Sequence, residues 1–434
     1  VSLASQLGID VIILDHHEPH KELPDALAVI NPKRADSGYP FRDLAAVGVA
    51  YKFIQAAAKK LKLDESDIFE ESVEIIALGT IADLMPLVDE NRIFVTQGLA
   101  RMRCSGNPGI SALIDVSRFS LEQDVDTYQI SFGLAPRLNA AGRIWNPRAG
   151  VELLLTKDMP KAISVARRLD EKNRHRMKEE ARILDSALKT LERDFDTERD
   201  RIIVLENEKW HVGVIGIVAS RILERHYRPV ILFTLSKRNG DMGNNGGEAE
   251  RVFAGSARSI SEINMCDLLE QASDLMISFG GHSMAAGMKI YEKNIPALRR
   301  RLNETVKKSY GTNNFRRNLV LDSKVRLEEI TLELLQQAQM MEPCGIGNPR
   351  PVFCTEGVDV AEVCTCGADG KHLRMKVKQG RAMLDVIGFG LSHAWKLDEL
   401  RGQTVDISYT LKEDNFRNRR AVALQLRDIR SADK

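Results

Sequence analysis

From residue 158 to residue 194 the chain carries one unbroken helical pattern. Apolar residues fall at Leu169, Met177, Ala181, Leu184, Leu188 and Leu191, and the middle, 170–182, is otherwise mostly charged. At 1.5 Å of rise per residue such a helix reaches roughly 50 Å. A helix that is polar on most sides at mid-length bridges domains instead of lying within one core. The expected organisation is therefore a first α/β domain over 1–157, a connecting helix over 158–197, a second α/β domain over 198–312 and a C-terminal domain over 313–434.

Composition sets the outer limits. At 434 residues and 43% hydrophobic the chain can bury several cores. Lysine plus arginine (62) nearly balances aspartate plus glutamate (61), a net charge of +1, so a polyanion has to be held by local patches and not by an overall basic field. The six cysteines show no disulfide spacing, and no apolar run approaches the roughly 18 residues that span a bilayer. This predicts a reduced, cytoplasmic compartment and no membrane contact. Cys354 with Cys364-Thr365-Cys366 fits no common zinc pattern, and these are expected to be ordinary thiols.

Strand and helix patterns alternate from residue 1 to about 115. A short helical stretch (2–8) leads into the apolar run Val11-Ile12-Ile13-Leu14, followed by helices over 44–61 and from about 70 into Gly79-Thr80-Ile81-Ala82-Asp83. Such alternation predicts a parallel sheet with helices on its faces. A second α/β unit opens with a strand over 201–206, a helix over 214–226 and a strand over 229–234, with glycine-rich loops at 239–247 and 279–287. After about 313 a helix (327–338) and five short strands (351–355, 372–377, 382–389, 404–411, 421–429) suit a small closed barrel of the OB kind, a fold that often holds single-stranded nucleic acid.

The chemistry concentrates where the first strand ends. Asp15-His16-His17 sits at the C-terminal tip of what reads as a buried parallel strand, where α/β sheets keep their ligands. Carboxylate and imidazole together suit Mn²⁺, Mg²⁺ or Zn²⁺. Adjacent residues on an extended chain point opposite ways, so His16 and His17 cannot both ligate one ion without a bend. Asp83 closes a mostly apolar segment, where an unpaired carboxylate is costly and a cation would account for it.

In the second unit, the glycines of Gly280-Gly281-His282 let a ligand approach the backbone closely, an anion cradle with an imidazole over it; a glycine turn with a surface histidine is the plainer alternative. Ser256 and Arg258 alternate across one residue and share a strand face, and arginine offers bidentate phosphate contacts. In the barrel, Arg374, Lys376 and Lys378 share a strand face that is either a phosphate track or a solvated surface, and 415–420 is a basic hairpin tip with the same ambiguity. Only 6% of the chain is aromatic, so base-stacking platforms should be few and backbone contacts should dominate.

Leu14-Asp15-His16-His17-Glu18 and Gly79-Thr80-Ile81-Ala82-Asp83-Leu84-Met85-Pro86-Leu87 resemble the third and fourth motifs of the DHH phosphoesterase superfamily. Ala135-Pro136-Arg137-Leu138-Asn139-Ala140-Ala141-Gly142-Arg143, Trp210-His211-Val212-Gly213-Val214-Ile215-Gly216-Ile217-Val218-Ala219-Ser220-Arg221 and Gly255-Ser256-Ala257-Arg258-Ser259 look like its RecJ branch. Phe279-Gly280-Gly281-His282-Ser283-Met284-Ala285-Ala286-Gly287 resembles the DHH-associated domain. Glu342-Pro343-Cys344-Gly345-Ile346-Gly347-Asn348-Pro349 resembles the entry to the OB barrel, with Cys344 where the family more often has Phe.

The resemblance implies an α/β fold: a DHH domain, a long helix, a DHH-associated domain and an OB barrel. The implied activity is a 5′ to 3′ exonuclease specific for single-stranded DNA, in DNA repair and recombination. It would be a monomer using two Mn²⁺ or Mg²⁺ ions to activate water and stabilise the leaving oxygen, with single-strand-binding protein and a helicase as candidate partners. By the same resemblance His16 and Asp83 are metal ligands, Asp15 supports the site and His17 faces the scissile phosphate. Ser256, Arg258 and His282, with Gly280 and Gly281, hold the 5′-end phosphate or the adjoining backbone, and Arg137, Asn139 and Arg143 contact phosphate.

The family's Asp-x-Asp motif and one further Asp precede the triplet and are not in this sequence, which starts at Val1. The expectation is an N-terminally truncated unit, inactive alone. The rival readings are a DHH phosphodiesterase for oligonucleotides or cyclic dinucleotides, and a nuclease-derived scaffold that binds nucleic acid without cutting it.

Overall fold

The computed structural model describes residues 1–19, 22–118, 125–196, 199–236, 250–311, 315–367, 369–395, 397–414 and 421–432. They fall into two compact units: Val1–Gly106 with Phe119–Ala135 and Leu319–Lys434, and Asn107–Arg118 with Pro136–Asn318. No described helix is long and apolar enough to cross a membrane.

The first unit opens with a short helix, Ser2–Gln6, followed by β1 (Ile12–Leu14) and β2 (Ala28–Ile30). The strands pair in parallel, Ile12 opposite Ala28 and Leu14 opposite Ile30. The parallel pairing is as expected, but the burial is not: Ile12 is 45% exposed. A parallel ladder is buried only where helices cover both faces, and α1 (Ala46–Leu61), which packs on β1, can cover only one. α1, α2 (Glu65–Ala82) and α3 (Asp89–Met102) pack in chain order around Val49, Tyr51, Ile76 and Phe94.

Asp64 caps the start of α2 by accepting the Ser66 N–H, five residues before the expected helix start. The helix then absorbs Gly79 to Ala82 in its last turns, so Asp83 is a helix C-cap. Its side chain projects past the buried face and is 49% exposed, which corrects the expectation of apolar surroundings.

The second unit contains α4 (Pro108–Ser117), α5 (Ala135–Ile144) and α6 (Met159–Asp194), the expected long helix at 36 residues. Its buried line differs from the expected one. Met177 and Ala181 face solvent, whereas Leu169, Asn173, Glu180, Ile183, Ala187 and Leu191 are buried. The line keeps the helical period but passes through a polar stretch, which a search for apolar residues alone steps over. At Glu180 the stretch is filled by ion pairs to Arg176 and Arg221.

Beyond α6 lie β3 (Ile203–Glu206), α7 (Val212–His226), β4 (Val230–Leu235), β5 (Val252–Arg258), β6 (Met276–His282) and β7 (Ala285–Tyr291), in a sheet of order β3-β4-β5-β7-β6. β3 and β4 are parallel with α7 between them in sequence, and the remaining pairings are antiparallel. Ile203, Leu205, Val230 and Leu232 pack with α6 and α7. The alternate residues Ile202, Val204, Ile231 and Phe233 pack with α8 (Ile295–Tyr310), so both faces of these strands are covered.

Residues 279–287 are a β-hairpin and not the expected glycine loop. The reason is close packing: a Cβ on Gly281 would lie 2.3 Å from the Ala285 carbonyl oxygen and 2.5 Å from Ala286 Cα. The glycine loop expected at 239–247 lies outside the described residues.

The rest of the first unit is the barrel, with α9 (Leu332–Gln339), β8 (Phe353–Cys366), β9 (His372–Gln379), β10 (Ala382–Gly388), β11 (Thr404–Asp414) and β12 (Ala421–Ser431). The ladder β9-β10-β12-β11-β8 closes through a β8–β9 pairing, giving the expected closed five-stranded barrel. β8 runs 14 residues, far beyond the expected 351–355, because its first half pairs with β11 and its second half with β9. The helix expected over 327–338 divides into a 3₁₀ turn, Leu327–Glu329, and α9. The basic tip at 415–420 lies outside the described residues.

Tyr409 is fully buried in the barrel with its hydroxyl 2.6 Å from Thr355 Oγ1, and burial pushes its pKa up to about 12. Thr355 commits its proton to the Val325 carbonyl at 2.8 Å, so Tyr409 donates. Tyr409→Phe is expected to lower unfolding free energy by about 1–2 kcal/mol in denaturant titrations with an unchanged m-value.

Candidate functional site

The chain leaves β1 after Leu14 and bends at once. Asp15 Oδ1 accepts the backbone N–H of His16 at 2.8 Å and of His17 at 3.2 Å, and lies 2.7 Å from His17 Nδ1. Asp15 N donates to the Ile30 carbonyl at the tip of β2, and Asn31 Nδ2 donates to the His17 carbonyl at 2.8 Å. Asn31 is a buried residue that inspection of the sequence missed; the signal was its place at the tip of the neighbouring strand. The bend that the extended-chain argument required is therefore present. It brings one donor atom each from Asp15, His16 and His17 within 4.8 Å of one another.

His16 is buried, and its Nε2 lies 3.1 Å from Asp83 Oδ2. Cis donors around an ion with bonds near 2.1 Å are about 3 Å apart, so this pair has the spacing of two ligands on one ion. Burial pulls the His16 pKa below its ordinary value, against the opposing pull of Asp83, and so favours the neutral imidazole that binds metal. Burial pushes the Asp15 carboxyl up, but hydrogen bonds from the His17 ring and from the His17 and His16 backbones outweigh it and hold Asp15 below the usual range. His16 Nδ1 is buried without a hydrogen-bond partner. The donor set fits a hard or borderline divalent cation. No cysteine joins a metal-ligating group among the described residues.

The second unit assembles the other candidate residues. In the sheet register Arg258 is opposite Ala285, which is opposite His282, and Ser256 is opposite Gly287, which is opposite Gly280. Directly paired residues share a face, so Ser256, Arg258 and His282 stand around a floor formed by Gly280 and Gly287. A Cβ on either glycine would meet nothing within 4 Å, so the floor is open. The expected same-face pairing of Ser256 and Arg258 is seen directly, with Arg258 Nη1 3.3 Å from Ser256 Oγ. The start of α7 covers them: a Cβ on Gly216 would lie 2.8 Å from Ser256 Oγ and 3.1 Å from Arg258 Nη2, so only glycine allows the approach.

Asn139 and Arg143 are exposed one turn apart on α5, and Arg143 reaches the Gly213 carbonyl at 3.4 Å. Burial, and Arg143 beside it, lower the pKa of Arg258. Arg137 is placed differently: it is largely buried, pairs with Asp170 at 2.8 Å and donates to the Val116 carbonyl. On the barrel, Arg374 and Lys376 share the outer face of β9, as expected, but Asp385 lies 3.5 Å from Arg374 and Glu362 3.7 Å from Lys376.

Comparisons with known proteins agree with this anatomy. The DHH family N-terminal domain matches residues 1–80, the DHHA1 domain 199–308 and the RecJ OB domain 321–428. The single-stranded-DNA-specific exonuclease RecJ of Bacillus subtilis is 35% identical over 98% of this chain, and the chain spans about half of that relative's length, 51%. The Haemophilus influenzae RecJ is 34% identical over 100% of this chain and 76% of its own length. The crystal structure of RecJ from Thermus thermophilus in complex with Mn²⁺ superposes with a TM-score of 0.81 at 29% identity, over 99% of this chain and 59% of that one. With the three domains in order and a full-length match at this identity, the chain belongs to the RecJ family of the DHH superfamily.

Proposed function

We propose that this chain carries the nuclease core of a 5′ to 3′ exonuclease specific for single-stranded DNA, hydrolysing phosphodiesters with Mn²⁺ or Mg²⁺. The observation that carries the reading is the 3.1 Å approach of His16 Nε2 to Asp83 Oδ2 beside the Asp15-His17 pair. The metal ions activate water and stabilise the leaving oxygen when bound. In this reading His16 and Asp83 are ligands. Asp15 fixes the bend and orients His17, which faces the scissile phosphate. Ser256, Arg258 and His282 around the glycine floor hold the 5′-end phosphate, with Asn139 and Arg143 beside them. Arg137 supports this region from within through Asp170, whereas Arg374 and Lys376 can meet a DNA backbone only by exchanging Asp385 and Glu362 for phosphates. The domain division is proposed at 157, 197 and 312. Cytoplasmic location, action as a monomer, and association with single-strand-binding protein and a helicase complete the proposal.

Mn²⁺ titration followed by electron paramagnetic resonance tests the first site without relying on turnover. His16→Ala and Asp83→Asn are each expected to weaken Mn²⁺ binding at least tenfold, and unchanged binding in both rules out the ligand roles. For the second site, binding of a 5′-phosphorylated oligodeoxynucleotide is measured by fluorescence anisotropy in EDTA. Arg258→Ala should weaken it about tenfold and His282→Ala less. Equal affinities across wild type and both variants would remove the phosphate site.

A further inference from the structure

The long helix α6 brings to the phosphate site a group that no motif pointed to. Its Glu180 is buried at 9% exposure, with Oε2 3.3 Å from Arg176 Nη1 and Oε1 3.2 Å from Arg221 Nε. Arg176 is held from its other side by Asn173, whose Oδ1 accepts from Nε at 3.1 Å, and Asn173 is itself buried. Arg221 stands on α7, the helix whose Gly216 lies against Ser256 and Arg258 and whose Gly213 carbonyl takes Arg143. Four guanidiniums from α5, α6, α7 and β5 thus gather around one helix. The charges that bear on Arg176 are Glu180, Arg143 and Arg221, and the charge that bears on Arg258 is Arg143. Glu180 pairs with Arg176 and Arg221, and among the described residues neither Arg143 nor Arg258 forms an ion pair with a carboxylate.

We propose that Arg176 is a further phosphate-binding residue of this site and that Glu180 is its positioning residue, together matching the site to a terminal phosphate monoester. The proposal rests on the phosphate-site reading above. A terminal phosphate carries close to two negative charges near pH 7, whereas an internal diester carries one, so a cluster in which Arg143 and Arg258 have no carboxylate partner among the described residues gains more from the chain end than from the middle. Glu180 cannot bind the anion. It keeps Arg176 and Arg221 from splaying apart under mutual repulsion while the site is empty, so the donors already have their geometry when phosphate arrives. Arg176 has five N–H donors; Asn173 at Nε and Glu180 at Nη1 hold its guanidinium from two sides, which sets the direction of the remaining donors.

The test compares two otherwise identical single-stranded oligodeoxynucleotides, one 5′-phosphorylated and one 5′-hydroxyl, binding the intact chain by fluorescence anisotropy in EDTA. Arg176→Gln is expected to weaken the phosphorylated strand about tenfold, the loss of one charge-assisted contact, and the hydroxyl strand less than twofold. Arg176→Lys should recover only part of the loss, because it keeps the charge but not the fork. Glu180→Gln should lower the ratio of the two affinities in the same direction, and Glu180→Asp should restore it.

A purely structural role would instead shift melting temperature while leaving that ratio at its wild-type value in Arg176→Gln and Glu180→Gln, and this overturns the proposal. An equal loss on both strands overturns it as well. Arg258→Ala separates the two levels. If it abolishes discrimination while Arg176→Gln does not, only the inference fails; if neither variant changes discrimination, the phosphate site itself fails.

Discussion

Asp15 Oδ1 takes three partners at once, the His16 and His17 backbone N–H groups and the His17 ring. This turns a strand end into a site. Without those contacts the segment after Leu14 would continue extended, and the two imidazoles would project to opposite sides. With them, the chain folds back within two residues, His17 is tied to Asp15, and His16 points inward to Asp83 at the end of α2. The parallel pairing of β1 with β2 is what makes the bend reproducible, because Ile30 and Asn31 at the second strand tip hold Asp15 N and the His17 carbonyl. A small sheet whose faces are only partly covered can therefore support the bend, since the restraint comes from hydrogen bonds between the two strand tips.

The second unit solves a different problem, the gathering of like charges. Arg143, Arg176, Arg221 and Arg258 repel one another, and burial of Arg176 and Arg258 adds to the cost of keeping them charged. Breaking a buried ion pair leaves an uncompensated charge and costs several kcal/mol, so Glu180 cannot be lost without disturbing Arg176 and Arg221 together. The glycines serve the same end through shape. Gly216 lets α7 approach Ser256 and Arg258, and Gly280 and Gly287 leave an open floor on the face those side chains share.

Much of this was legible in the sequence, and the misses have specific causes. Four of the five barrel strands, the extent of the long helix, the crossover over β3, α7 and β4, and the shared face of Ser256 and Arg258 follow from periodicity alone. The hairpin at 279–287 was hidden because glycine in a strand carries the same letter as glycine in a loop, and the close approach to Ala285 and Ala286 is visible only in three dimensions. Glu180 and Asn173 were hidden because a polar residue on the buried line of a helix looks like solvated surface until its partners are known. Arg137 shows the converse. Its place in a family motif is legible in the sequence, whereas its ion pair with Asp170, 2.8 Å away, is visible only in the structure.

A chain with a net charge of +1 has no general attraction for a polyanion, so affinity has to come from places where cations are left uncompensated. The outer face of β9 shows why counting basic residues is not enough: Arg374 and Lys376 alternate as a phosphate track would, yet each already has a carboxylate within 4 Å on a neighbouring strand. Binding DNA there exchanges one ion pair for another in solvent, where such pairs contribute little. Around α7 the balance is different. Glu180 is shared by Arg176 and Arg221, Arg143 and Arg258 have no carboxylate partner among the described residues, and Arg176 and Arg258 are lowered in pKa by burial and by like-charge neighbours. At Arg143 and Arg258 an arriving phosphate displaces no carboxylate and relieves repulsion between like charges. In the proposed reading, the attraction of this chain for a phosphorylated nucleic-acid end comes from that cluster, even though it adds almost nothing to the formal charge.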